Sequence, residues 1–256
     1  KASDEIRARL AKLQGSATEA ISTEERQQFQ NARFAHLHVH TQFSVLQSTI
    51  GIPNLVKKAG EMNLSAIAMT DHGNMMGAFH FVMAVNNHNK GIEAQNKARL
   101  ENGEEALPLL TPIVGCEFFI NENHLDRTKK DNGYQVVLLA KNKKGYHNLA
   151  KMASIAYTDG FYYVPRIDKQ VVEQYKEDVI VLTGNLFGEI PGKILNVGER
   201  QAEEALLWWK EQFGDDLYVE LMRHGQEDEN RVNQVLIELA RKHNIKMVAT
   251  NNAYYL

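Results

Sequence analysis

The stretch over residues 34–44, FAHLHVHTQFS, constrains this chain more than any other. His36, His38 and His40 stand at alternate positions, with apolar Leu37 and Val39 between them. Successive side chains of a β-strand turn to opposite faces, so the spacing predicts three imidazoles on one side of a strand over 35–40. A core-facing strand would carry Val, Ile or Leu there, because an unpartnered imidazole is costly to bury. Three on one face point to metal binding or acid–base chemistry; the competing reading is a polar face on an edge strand. The stretch alone names no reaction.

From Phe34 onward, short apolar strands alternate with amphipathic segments. Strands are expected at 35–40, 66–70, 111–120, 134–140, 178–183, 217–222 and 246–250. Helices are expected at 53–63, 76–86, 144–157, 200–213 and 229–244. Residues 88–107, rich in Asn, Glu, Lys and Gly without a firm apolar period, read as a surface insertion. This alternation predicts a parallel sheet with right-handed crossovers, as an open doubly wound sheet or a closed barrel. Polar clusters end almost every strand (HVH, TDHGN, GCE, LTGN, ATNN), and groups gathered at C-terminal strand ends favour the barrel. Residues 1–33 carry Ile6, Leu10 and Leu13 on a helical spacing, then Ser22, Thr23 and Glu25 as a capping signal. They predict a short helical N-terminal extension, a linker or docking arm, ahead of a domain over 34–256.

The formal charge of −3 argues against a broad basic face that grips nucleic acid unaided. Lys129, Lys130, Lys141, Lys143 and Lys144 read as a solvated surface. Cys116 is the sole cysteine, so no intrachain disulfide forms and a reducing cytoplasm fits. No apolar run approaches the ~20 residues of a membrane span. The absence of an initial Met and the abrupt apolar end suggest a piece of a longer chain.

Asp71 and His72 directly follow the 66–70 strand, and Glu117 lies late in the 111–120 strand. His38, His40, Asp71, His72 and Glu117 thus offer N and O ligands from three neighbouring strand ends. Imidazole with carboxylate suits Zn²⁺, Mn²⁺ or Fe²⁺, and a bridging carboxylate can hold two ions ~3.5–4 Å apart. Phosphoester hydrolysis is the natural reaction class for such a centre. Asp71 has a second reading as a helix cap. His36 reads as a structural histidine one layer deeper in the same cavity. His80, His88, His124, His147, His224 and His243 show no comparable pattern and read as surface or packing residues.

HLHVHTQFS, AMTDHGN, PIVGCEFF, LLAKNKKGYHNL, GFYYVPRID and RHGQEDENRVN together resemble the polymerase and histidinol phosphatase (PHP) domain. GFYYVPRID and LLAKNKKGYHNL resemble the branch carried by bacterial replicative DNA polymerases. The resemblance implies a distorted (β/α)7 barrel with a trinuclear metal cleft, which in active members supports phosphoesterase or 3′–5′ exonuclease chemistry. It matches His38 and His40 to the opening histidine pair, His72 to the TDH histidine and Glu117 to the bridging glutamate. Gln47, Gln135, Asn185, Asn252 and Tyr254 stand where the family carries Asp, His, Cys or His, Asp, and His. Amides and phenol are poor ligands for borderline metals, so the trinuclear centre is expected to be incomplete. One divalent ion, Zn²⁺ or Mn²⁺, on His38, His40, His72 and Glu117 is the expected cofactor. Catalysis by His38, His40, Asp71, His72 and Glu117 is expected to be vestigial or weak.

The function implied is the domain of a replicative polymerase that braces its core and docks a proofreading exonuclease subunit. Its partners would be the remainder of the polymerase chain, that exonuclease, and DNA through the full polymerase, in the cytoplasm. The alternatives are an active metal-dependent 3′–5′ exonuclease within the same polymerase and a free-standing histidinol-phosphatase-like enzyme.

Overall fold

A computed structural model describes residues 34–256. The expected helices over 1–33 lie outside the described residues. The strands are β1 (Ala66–Met69), β2 (Thr111–Asn121), β3 (Tyr134–Ala140), β4 (Arg166–Asp168), β5 (Val179–Leu182), β6 (Leu217–Met222) and β7 (Lys246–Thr250). They form one curled sheet in the order β1-β2-β3-β5-β6-β7, with β4 also on β2. The sheet is mixed rather than parallel, because β3 runs antiparallel to both β2 and β5. The 12 residues between β2 and β3, 122–133, form no helix, and the chain returns antiparallel without a helical crossover.

The expected first strand is not a regular one. Residues 36–40 touch the sheet through isolated bridges, His36 to Ile67 and Val39 to Ala253, with a bend at His38. Backbone bonds tie this segment to β1 on one side (Ala68 N to His36 O, 2.8 Å). On the other side His40 N reaches Ala253 O at 2.9 Å, just past β7. The segment therefore joins the two edges of the curled sheet and completes a distorted barrel. Ala68, Val137, Leu139 and Leu182 form a small apolar cluster drawn from strands alone.

The helices are α1 (Ile52–Glu61), α2 (Ala78–Glu101), α3 (Lys143–Thr158), α4 (Lys169–Tyr175), α5 (Glu189–Asn196), α6 (Glu199–Phe213) and α7 (Glu227–Lys242). Asn142 caps α3 by accepting from Lys144 N and Gly145 N. Gln226 and Glu229 form a capping box on α7, whose acidic first turn and basic last turn suit the helix dipole. α2 runs through the expected surface insertion. Its distal half has only Ile92, Ala94, Ala98 and Leu100 scattered among polar residues, so no apolar stripe announces it, although its residue types favour helix. Two asparagines hold the return chain against it: Asn89 pairs with both backbone groups of Leu110, and Asn96 with those of Leu107. α4, α5 and β4 are too short to carry a readable period.

Two buried polar knots fasten the outer layer. Arg166 is fully buried and donates to the carbonyls of Gly160, His124, Asp126 and Asp131. Gly160 must lack a side chain, since a Cβ there would meet Arg166 O. Glu189 accepts from Lys169 and Lys193 at 2.9 Å and from the Trp209 indole at 2.8 Å, joining α4, α5 and α6.

Arg166→Leu leaves the buried Gly160 carbonyl and three partly buried ones without their donor, and urea unfolding should show a loss of roughly 3 kcal/mol. Burial works to raise the Glu189 carboxyl, but Lys169, Lys193 and Trp209 outweigh it and hold it below its ordinary 4.5. A depressed folded pKa contributes stability that is present above pH 4.5 and lost as pH falls through the folded value. Thermal unfolding of Glu189→Gln should therefore fall less steeply below pH 4.5 than that of the parent.

Candidate metal centre

The centre is built on Glu117, a carboxylate with no exposure in the middle of an apolar strand. Beyond the end of β1 the chain continues alongside β2, with Glu117 N bonded to Asp71 O and Gly73 N to Glu117 O. This pairs His72 with Glu117 across an isolated bridge. Three imidazole nitrogens converge on one oxygen, Glu117 Oε2: His38 Nε2 at 3.4 Å, His40 Nε2 at 3.2 Å and His72 Nδ1 at 3.1 Å. All four atoms are buried, and none has an aligned hydrogen-bond partner. The His40 ring stacks against both His72, 4.1 Å away, and Tyr254, 4.4 Å away, which themselves lie 5.9 Å apart.

The far side of each imidazole is held. His38 Nδ1 contacts Glu220 Oε1 at 3.0 Å, and the same oxygen accepts from Thr250 Oγ1 at 2.5 Å. A carboxylate there holds a proton on Nδ1 and directs Nε2 toward Glu117. Ser44 Oγ donates to Asp71 Oδ1 at 2.7 Å, leaving its lone pairs for His40 Nδ1 at 3.1 Å and His72 N at 3.1 Å. Both oxygens of Asp71 are engaged, the second by Thr41 Oγ1 at 2.7 Å, so Asp71 orders the 41–44 loop. The Tyr254 hydroxyl lies 3.1 Å from His72 Nε2.

The second oxygen of Glu117 meets amides. Asn185 Nδ2 donates to Glu117 Oε1 at 3.2 Å and to Gln135 Oε1 at 2.9 Å. Asn252 Nδ2 donates to Tyr254 Oη at 3.2 Å. Gln135 reaches this end of the barrel because β3 is antiparallel, so its first residues lie where its neighbours finish. Gln47, Gln135, Asn185, Asn252 and Tyr254 line a cleft of about 440 Å³ over the centre, with Phe187 and His224 on its wall.

Charge is balanced inside the cluster. Burial works against protonated His38, but Glu220 and Glu117 outweigh it and hold its pKa up at about 10. Burial raises the Glu117 carboxyl, yet His38, His40 and His72 hold it well below the usual range. Burial pushes His72 down to about 4 and, with Glu117 beside it, Tyr254 up to about 12.

Of the expected residues, His38, His40 and Glu117 come together as a group able to hold a metal, their ligand atoms within 4.8 Å of one another. His72 adds a nitrogen beside the same oxygen. His36 does not share this cavity; the bend at His38 breaks the alternation, and His36 lines a recess with Leu55 and Ile67. The buried, unpartnered nitrogens and carboxylate oxygen fit one divalent cation, and imidazole with carboxylate suits Zn²⁺ or Mn²⁺. Such an ion would activate a water and polarise a phosphoryl oxygen. On the other side, Asn185 places an N–H donor on Oε1, and the amides and phenol of the cleft bring no anionic charge for a second cation.

Sequence reasoning missed Glu220, although a lone acid within the apolar run LYVELM is the same signal that exposed Glu117. It also passed over His124, His224 and His243, each of which contacts a carboxylate: Asp168, Glu229 and Glu203.

Glu220→Leu frees the Nδ1 proton and the orientation of His38. Its affinity for Zn²⁺ or Mn²⁺, titrated against a chromophoric chelator, is expected to fall roughly ten- to a hundredfold. Unchanged affinity would show that Glu220 does not position His38.

The sequence is similar to DNA polymerase III subunit alpha of several bacteria. It is 37% identical to that of Borreliella burgdorferi over 229 residues, 88% of this chain and 18% of the relative. It is 39% identical to that of Aquifex aeolicus over 233 residues, 87% of this chain and 18% of the relative. The chain thus spans about a fifth of the length of the curated relatives it matches. Among solved structures, an amidohydrolase from Chromobacterium violaceum with bound sulfate and no metal shares the fold at TM-score 0.53 and 10% identity, covering 88% of each chain. A candidate metal-dependent phosphoesterase from Bifidobacterium adolescentis shares it at TM-score 0.51 and 14% identity, covering 87% of this chain and 88% of that one. The PHP domain model matches residues 36–224, from the bridge that closes the barrel to the histidine on the cleft wall, and this chain belongs to the PHP domain family.

Proposed function

We propose that this chain is the PHP domain of a bacterial DNA polymerase III alpha subunit, in which the cleft serves structure and docking more than hydrolysis. The polymerase relatives support the first half of this reading. One observation carries the second half: Asn185 donates to the second oxygen of Glu117 and to Gln135, and Asn252 donates to Tyr254, so neutral amides and a phenol stand in the cleft beside Glu117. Phosphoester cleavage by several ions needs anionic or imidazole ligands at those positions, and neutral amides and a phenol bind borderline metals poorly.

Residues 34–256 would form this domain within a longer cytoplasmic chain, with 1–33 preceding it. Its partners would be the remainder of the polymerase, a proofreading exonuclease subunit and, through the whole enzyme, DNA. His38, His40, His72 and Glu117 would hold at most one Zn²⁺ or Mn²⁺, while Asp71 orders the loop beside them. A second reading, a one-metal phosphoesterase or 3′–5′ exonuclease, rests on the four unpartnered atoms that converge there.

Metal analysis by mass spectrometry, after incubation with Zn²⁺ or Mn²⁺ and desalting, separates the two. At most one ion per chain is expected, absent from His38→Ala/His40→Ala, with hydrolysis of a 3′-terminal phosphodiester no faster than in that variant. Hydrolysis that depends on the retained metal and is lost in the variant, with one ion or with more, would overturn the docking reading.

A further inference from the structure

The start of α2 reads AFHFVMAV over residues 78–85, apolar on every side except for His80. A helix that is apolar all round is normally covered all round. Here Ala78, Phe81 and Val85 pack into the core, while Phe79 is 72% exposed and Met83 42%. Met76, one turn before Phe79, is 64% exposed. Phe79 and Met83, four residues apart, share one face of α2, and Met76 lies in the turn just before the helix. Beside that face, Phe79, Val82, Pro112, Val114 and Tyr146 line a groove of about 490 Å³.

The groove ends at Lys141 and Lys143, at the start of α3. Lys143 and Lys144 occupy the first turn of α3, which holds no acidic residue. Cations at the positive end of a helix are unfavourable unless an anion meets them. Lys144 pairs with Glu177, and Lys141 with Asp216. Lys143 is exposed, lies at the groove end, and has no acidic partner among the described residues.

We infer that this groove docks an amphipathic helix of the longer polymerase chain, apolar residues over Phe79 and Met83 and a carboxylate over Lys143. The inference rests on the proposed polymerase reading, and two observations favour an occupant from the same chain. The relatives are about five times the length of this chain, so most of such a protein remains to be packed against it. An exposed Phe–Met face of this kind suits a permanent interface better than a transient one.

Methionine oxidation by dilute peroxide in the full-length protein reads this face directly, because Met62, 51% exposed on α1's end, serves as an internal control. Intact mass of the natural gene product first tests the reading beneath the inference: a product near the 29.0 kDa of this chain would refute the polymerase reading by itself. In the long chain, Met76 and Met83 are expected to oxidise several-fold more slowly than Met62. Lys143→Glu, an exposed substitution that leaves the fold intact, is expected to narrow that difference. Equal oxidation of the three methionines in the long chain overturns the docking. So does protection that appears in the 256-residue chain alone or only on raising its concentration, which would assign the face to self-coverage or to a second copy.

Discussion

A carboxylate buried without exposure in an apolar strand is the condition that the interior of this barrel must satisfy. Removing such a group from water costs several kcal/mol unless compensating charge and hydrogen bonds surround it. Glu117 receives that compensation from every side of the barrel mouth: imidazoles from the closing segment and the end of β1, and an amide from beyond β5. Each compensating group is itself anchored, His38 on Glu220 and Thr250, His40 on Ser44 and Asp71. The polar network thus ties together the closing segment, β1, β2, β5, β6 and β7, and a change at one member is felt at strands on the opposite side of the barrel.

The same arrangement separates metal capacity from multinuclear chemistry. On one side of Glu117 three imidazole nitrogens converge on one oxygen; on the other, the Asn185 N–H points inward. Amide and phenol substitutions keep the shape and hydrogen bonding of a ligand shell while removing its anionic charge. A cleft built this way keeps its walls in place without several cations, so fold and hydrolysis need not be lost together.

Much of the centre was legible because it obeys local rules. Strand alternation marks His38 and His40, and the lone acid in PIVGCEFF marks Glu117. Glu220 carries an equally local signal that went unread. His36 was misplaced because alternation holds only while a strand is regular, and the bend at His38 turns it into a different recess. The distal half of α2 had no period to read, because its stability comes from asparagine bonds to a returning chain rather than from an apolar stripe.

By itself the sequence determined the element types of the long periodic segments, the residues able to bind a metal, and the likeness to the PHP family. Those follow from side-chain chemistry and from spacing along the chain. Only the tertiary structure decided that β3 runs antiparallel, that residues 36–40 close the sheet through bridges, and that Asp71 is spent on Thr41 and Ser44. It also decided which oxygen of Glu117 meets nitrogen lone pairs and which meets N–H donors. These depend on contacts between residues far apart in the chain, whose pairing is set by packing the whole barrel and leaves no local pattern.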